Sequence, residues 1–89
     1  MTSRTTKRFR AEFAALPREI QEQARRAYAL WRSDPAHPSL QFKQVHANRA
    51  IFSARIGLHW RSVALRREDG FVWFWIGSHA DYDRLLARL

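Results

Sequence analysis

The chain has 89 residues, no cysteine, and 16 Lys and Arg against 8 Asp and Glu, a formal charge of +8. A chain of this length buries only about 60–65% of the surface it exposes when unfolded, which allows one thin core, and the lack of cysteine excludes disulfide staples and thiolate metal ligands. No apolar run approaches a membrane span, and none follows the basic start MTSRTTKRFR as it would in a signal peptide. The expectations are a single domain over residues 1–89, a cytoplasmic setting, no membrane association and a polyanionic or acidic partner.

Residues 1–3 carry no structural signal and read as loose. From Thr5 or Thr6 onward, Phe9, Phe13 and Leu16 recur at i, i+4 and i+7 with Arg4, Lys7, Arg8 and Arg10 between them, the pattern of a short amphipathic helix with a basic outer face. Pro17 disfavours helix at Leu16 and suits the first position of a new one. This second helix is expected to reach about Trp31. Its inward stripe is Ile20, Ala24, Ala27, Tyr28 and Trp31, with Glu19 and Glu22 early and Arg25, Arg26 and Arg32 late, as the helix dipole favours. The stretch SDPAHPS that follows has two prolines and no apolar period, so it is a linker.

The chain then changes character. Residues 40–46, 50–57, 60–66 and 71–76 are strand-like runs separated by short polar breaks, which predicts an antiparallel meander. Phe52, Ala54 and Ile56 alternate with Ile51, Ser53 and Arg55, so the first set is expected to face the helices. The run FVWFWI at 71–76 is apolar at every position and belongs in the sheet interior. Gly77 is expected to end it. Ser78 stands three residues before Asp81 in the manner of a helix cap, and Tyr82, Leu85, Leu86 and Leu89 recur at helical spacing, which predicts a C-terminal helix. Ile20, Trp31, Phe52, Phe74 and Leu85 are the expected core.

Charge is unevenly placed. Between Ala36 and Arg67 there is no Asp or Glu, while Lys43, Arg49, Arg55, Arg61, Arg66 and Arg67 are spread along the strands with His37, His46 and His59 among them. Single cations on strands commonly serve to discourage edge pairing. Gathered without acids to neutralise them, they predict a phosphate-binding face. The histidines are too scattered for a metal site, and no metal or cofactor is expected.

With these elements in order, HPSLQFKQV leading into IFSARI, then HWRSVAL, then WFWIGSHADYDRLL, the sequence resembles the RelE/ParE toxin superfamily of bacterial toxin–antitoxin systems from about Arg10 onward. The resemblance implies an α+β fold: two N-terminal helices packed on a four-stranded, mainly antiparallel sheet, followed by a C-terminal helix. Members usually open with a strand before the helical hairpin, but here the opening segment is short and helix-like, and no such strand is expected. The implied function is that of a toxin acting as a metal-independent endoribonuclease on ribosome-bound mRNA, with the ribose 2′-hydroxyl attacking the adjacent phosphate. The implied partners are an acidic antitoxin, mRNA on the ribosome and a second copy in a homodimer. Two alternatives stand beside it: a DNA gyrase inhibitor like the ParE branch, and a non-catalytic basic domain that binds RNA or protein.

By the same resemblance Arg55, Arg61, His79 and Tyr82 would be catalytic, the arginines supporting the phosphate and the other two moving protons. Lys43, Arg49, Arg66 and His46 would bind the RNA. Some members carry a Glu near the strand of Lys43; this chain has none. The residues allow structural roles too: Tyr82 shares a stripe with Leu85, Leu86 and Leu89 and suits the core, and Arg61 follows Trp60 and suits a cation–π contact. His79, at the start of a helix, is better placed as a neutral base than as a cation.

Overall fold

A computed structural model describes residues 2–89. The order is β1 (Thr2–Thr5), α1 (Lys7–Ala14), α2 (Arg18–Ser33), a 3₁₀ turn (Pro38–Leu40), β2 (Lys43–Gln44), β3 (Ile51–Ile56), β4 (Trp60–Arg67), β5 (Gly70–Ser78) and α3 (His79–Arg88). The strands form one mixed sheet in the order β1-β5-β4-β3-β2. The sheet therefore has five strands rather than four, and β5 lies inside it.

The added strand is β1, which runs parallel to β5 with Thr2 opposite Gly70 and Thr5 opposite Trp73. Its sequence, TSRT, has no apolar residue, and its hold comes from hydrogen bonds. The Thr2 N–H donates to the Asp69 carbonyl at 2.8 Å and the Thr6 N–H to the Trp73 carbonyl at 3.0 Å. The Ser3 hydroxyl meets both the Trp73 indole N–H and the Tyr28 hydroxyl. Gly70 is required here, since a Cβ on it would lie 1.9 Å from the Thr2 carbonyl oxygen. Of the loose segment expected at 1–3, Thr2 and Ser3 are thus paired, and Met1 lies outside the described residues.

The helices start and stop for local reasons. Thr6 caps α1 by accepting from the Phe9 N–H at 3.0 Å. At the corner into α2, the Gln21 amide donates to the carbonyls of Phe13, Ala14 and Leu16, near the end of α1, where the Phe13 carbonyl also accepts from the Leu16 N–H. Trp31, on the buried face of α2, is 1% exposed and packs edge-on against Phe42, Phe71 and Trp73.

Alternation divides the sheet residues between two faces, and a bulge redistributes them. Val63 pairs with Trp75 and Ala64 with Trp73, so Phe74 is an extra residue in β5. As a result Trp73 packs with Trp31 beneath the helical hairpin, while Trp75 packs with Tyr82 and Leu85 beneath α3. One strand thereby supplies a tryptophan to each of two cores. Of the expected core, Trp31 and Leu85 are buried, whereas Ile20, Phe52 and Phe74 are only half-buried. Phe74 is the bulge residue, and Phe52 lies where the sheet thins to the two-residue β2, covered by a stacked Phe42.

Two further expectations fail. Residues 40–46 are not one strand, because the 3₁₀ turn and a left-handed Gln41 (φ 44°) use up its first part and leave only Lys43–Gln44. Nor does Gly77 end β5, which continues to Ser78 opposite Trp60. A glycine is needed there because a Cβ would come within 2.7 Å of the Trp75 ring.

Candidate phosphate site on the sheet face beneath α3

Arg55 and Arg61 are direct partners across β3 and β4, and Gly77 is the next partner of Arg61 on β5. Strand alternation puts them on the face that carries Ser53 and Val63, the one covered by α3. Paired residues in this arrangement have their Cβ atoms about 5 Å apart, and like charges placed so repel. Each guanidinium spends one donor on a nearby carbonyl: Arg55 Nε on Gly57 at 2.8 Å, and Arg61 Nη1 on Trp60 at 2.8 Å. Among the described residues neither has a carboxylate within salt-bridge distance, the bridges being Arg8–Glu12, His79–Asp83 and Arg84–Asp81. Burial and then the charge of Arg55 lower the pKa of Arg61, offset in part by Tyr82 and Asp83. A desolvated cation beside a second cation is a ready site for an anion. The cation–π contact of Arg61 with Trp60 is not among the contacts formed; the one such contact among the described residues is Arg25 over Phe13.

The cap of α3 sets the first turn of the helix, with His79 and Tyr82, at the end of β5. Ser78 Oγ accepts from the Asp81 N–H at 3.2 Å, and the His79 N–H donates to the His59 carbonyl at 2.7 Å, which fixes the first turn of α3 against the β3–β4 turn. His79 remains half exposed, with its Nδ1 3.3 Å from the Asp83 carboxylate one helical turn on. That charge favours the proton on Nδ1 and leaves Nε2 as the basic nitrogen. Tyr82 is buried, its ring edge-on to His79 with centroids 5.9 Å apart, and its hydroxyl donates to Ser53 Oγ at 3.0 Å. Lys43 is paired with Ser53 on β2, on the same face, and is exposed. Lys43, Arg55 and Arg61 thus share the sheet face that is covered by the helix carrying His79 and Tyr82.

The remaining expected residues lie elsewhere. Arg66 shares the opposite face with Ser62 and Ala64, five residues along β4 from Arg61, or about 16 Å at the strand rise. Arg49 is in the turn before β3. His46 is occupied by that turn: its Nδ1 accepts from the N–H groups of Asn48 and Arg49 at 3.1 and 3.0 Å, so its Nε2 is the donor toward the Leu89 carbonyl at 3.0 Å. Two residues of the site escaped the sequence reading. Asp83 was legible as the i+4 partner of His79 on a helix; Ser53, a serine in a strand, carried no signal.

Among the described residues no three His, Asp or Glu side chains gather as metal ligands do, and no helix is long and apolar enough to cross a membrane.

The cationic pair thus sits in a five-stranded sheet with a helical hairpin on one face and a C-terminal helix on the other. Residues 18–84 match the ParE-like toxin domain, and the chain belongs to that family. No curated protein matches its sequence. Among solved structures, YafQ from E. coli superposes with a TM-score of 0.73 at 8% identity, covering 91% of this chain and 96% of YafQ. A chain of the RelB–RelE antitoxin–toxin complex from Methanococcus jannaschii gives 0.71 at 13% identity, with 90% and 95% covered. The toxin–antitoxin complex RelBE2 from Mycobacterium tuberculosis gives 0.69 at 21% identity, with 88% and 96% covered.

Proposed function

We propose that the protein is the toxin of a toxin–antitoxin pair and that it cuts RNA at the Arg55–Arg61 site. The observation that carries this reading is the pair itself: two cations directly across β3 and β4 with no carboxylate partner, on the sheet face covered by the helix that carries the half-exposed His79. A phosphodiester between them would relieve their repulsion, and more so as its charge grows in the transition state. His79 Nε2 takes the proton of the ribose 2′-hydroxyl, whose oxygen forms a bond to phosphorus. The bond from phosphorus to the 5′-oxygen breaks, and Lys43 supplies that oxygen with a proton. The products are a 2′,3′-cyclic phosphate and a free 5′-hydroxyl. Tyr82 acts as a positioning residue, holding the first turn of α3 at its distance from Ser53.

The partner side of the proposal rests on the solved complexes, in which chains of this fold come from antitoxin–toxin assemblies. An acidic protein would complement the charge of +8 and mask the face that binds RNA. Cleavage of ribosome-bound mRNA, followed by analysis of the ends, tests the reading. Cyclic phosphate ends that persist in chelator support it, and intact RNA overturns it.

A second reading, gyrase inhibition, is favoured by the ParE-like character of the family match and by the enclosure of the Tyr82 hydroxyl. It predicts loss of DNA supercoiling activity with RNA left whole.

A further inference from the structure

We infer that the groove between α2 and the β3–β4 turn is a nucleobase subsite, reading a base of the strand whose phosphate lies at Arg55 and Arg61. The inference rests on the phosphate-site reading and extends it. The groove has a volume of about 730 Å³, within the 300–1,000 Å³ range of small-molecule pockets and ample for a nucleoside. Arg55 is its shared wall: it lines the groove, and it is the cross-strand partner of Arg61. The groove opens on the α2 side of the sheet and the arginine pair lies on the α3 side, so a strand held at the pair would pass around the end of β3 at Arg55 to place a neighbouring base in the groove.

The lining suits a base. Leu58 is 69% exposed at the tip of the turn and stands beside Trp60 and His59, which together give an apolar and aromatic surface for a π-face. Gln23 lies opposite, close enough that a Cβ on Gly57 would come within 2.8 Å of its Oε1. Among the described residues its amide makes no hydrogen bond, so it offers a donor and an acceptor to the edge of a base. Arg26 adds a cation, and no carboxylate lines the groove. Gly57, at φ 60°, is what lets the chain reverse tightly enough to bring Leu58 to this position.

Binding of a short 2′-O-methyl oligoadenylate, which cannot be cleaved, compared with the same backbone lacking bases, separates this subsite from the phosphate site. The intact protein is expected to bind the base-bearing strand roughly tenfold more tightly, the lower part of the range for stacking one base. Leu58→Ser and Gln23→Ala should each shrink that ratio, and the pair should bring it to about one. Leu58 is exposed, so its change does not endanger the fold, and circular dichroism checks this. Equal binding of the two strands by the intact protein overturns the subsite and leaves the groove to a protein partner. Failure to bind either strand overturns the phosphate site with it.

Discussion

The hydroxyls of Tyr82 and Ser53, both buried, are 3.0 Å apart and join α3 to the middle of the sheet. Tyr82→Phe leaves the Ser53 hydroxyl without its donor and is expected to cost about 1–2 kcal/mol. For a domain of this size each kcal/mol lowers Tm by about 4–8 °C. RNA cleavage should fall by less than about tenfold, well short of the 10²–10⁴ that a positioned acid or base contributes. Adding Ser53→Ala should recover part of the stability, because removing both partners leaves no unpaired hydroxyl. A larger loss of cleavage with Tm unchanged would make Tyr82 a catalytic residue.

His79→Ala should lower the cleavage rate by about 10²- to 10⁴-fold. The side chain is half exposed, so stability should stay within about 0.5 kcal/mol. Asp83→Asn should give a smaller loss, since it removes the charge that orients the imidazole and leaves the imidazole itself. Single-turnover cleavage beside thermal melts checks both.

The depressed pKa of Arg61 means that the folded state disfavours its charge. Such a cost is present at every pH below the lowered pKa and is relieved only above it, in alkali beyond working conditions. An anion relieves it instead. Inorganic phosphate is expected to raise the Tm of the intact protein but not of Arg55→Ala at matched ionic strength. At low salt Arg55→Ala should itself be more stable by roughly 0.2–1 kcal/mol, a gain that fades as salt screens the pair. Its cleavage should drop by about 10²-fold or more for want of support for the phosphate.

Affinity for RNA should fall with salt as counterions are released. Lys43→Ala and Arg55→Ala should each flatten the logarithmic slope by about 0.7–1 unit. Arg66→Ala should leave the slope unchanged, since Arg66 lies on the opposite face of the sheet. A slope that flattens equally for all three would place the RNA along the whole sheet rather than beneath α3.

The legible part of this fold was its apolar periodicity. The stripe ending at Trp31, the run at 71–76 and the cap at Ser78 each have a local cause, and the structure contains the expected helices and β5. Strand β1 was hidden because its hold is long-range: TSRT has no apolar face, and its partners are 68 residues away. The bulge at Phe74 was hidden for a related reason, since an all-apolar run gives no alternation from which a change of face could be read. In the site, Lys43, Arg55 and Arg61 share a face by the parity of strand positions, which a sequence can show once the register is known. The placement of Arg66 on the other face follows from the same parity. His46 could not be foreseen as a clasp, because its partners are backbone groups of a turn and the far end of α3.

The parallel pairing of β1 with β5 also sets the order in which the sheet can be assembled. Thr2–Thr5 find their strand only when Gly70–Trp73 have been made, and His79 and Tyr82 come later still. On a growing chain the two arginines belong to a hairpin with no β5 beside it and no helix above it. At about 5–20 residues per second the 68 residues from Thr2 to Gly70 take roughly 3–14 s, and closure of so long-range a pairing comes after that. Until then Arg55 and Arg61 stand without the strand and the helix that complete their surroundings.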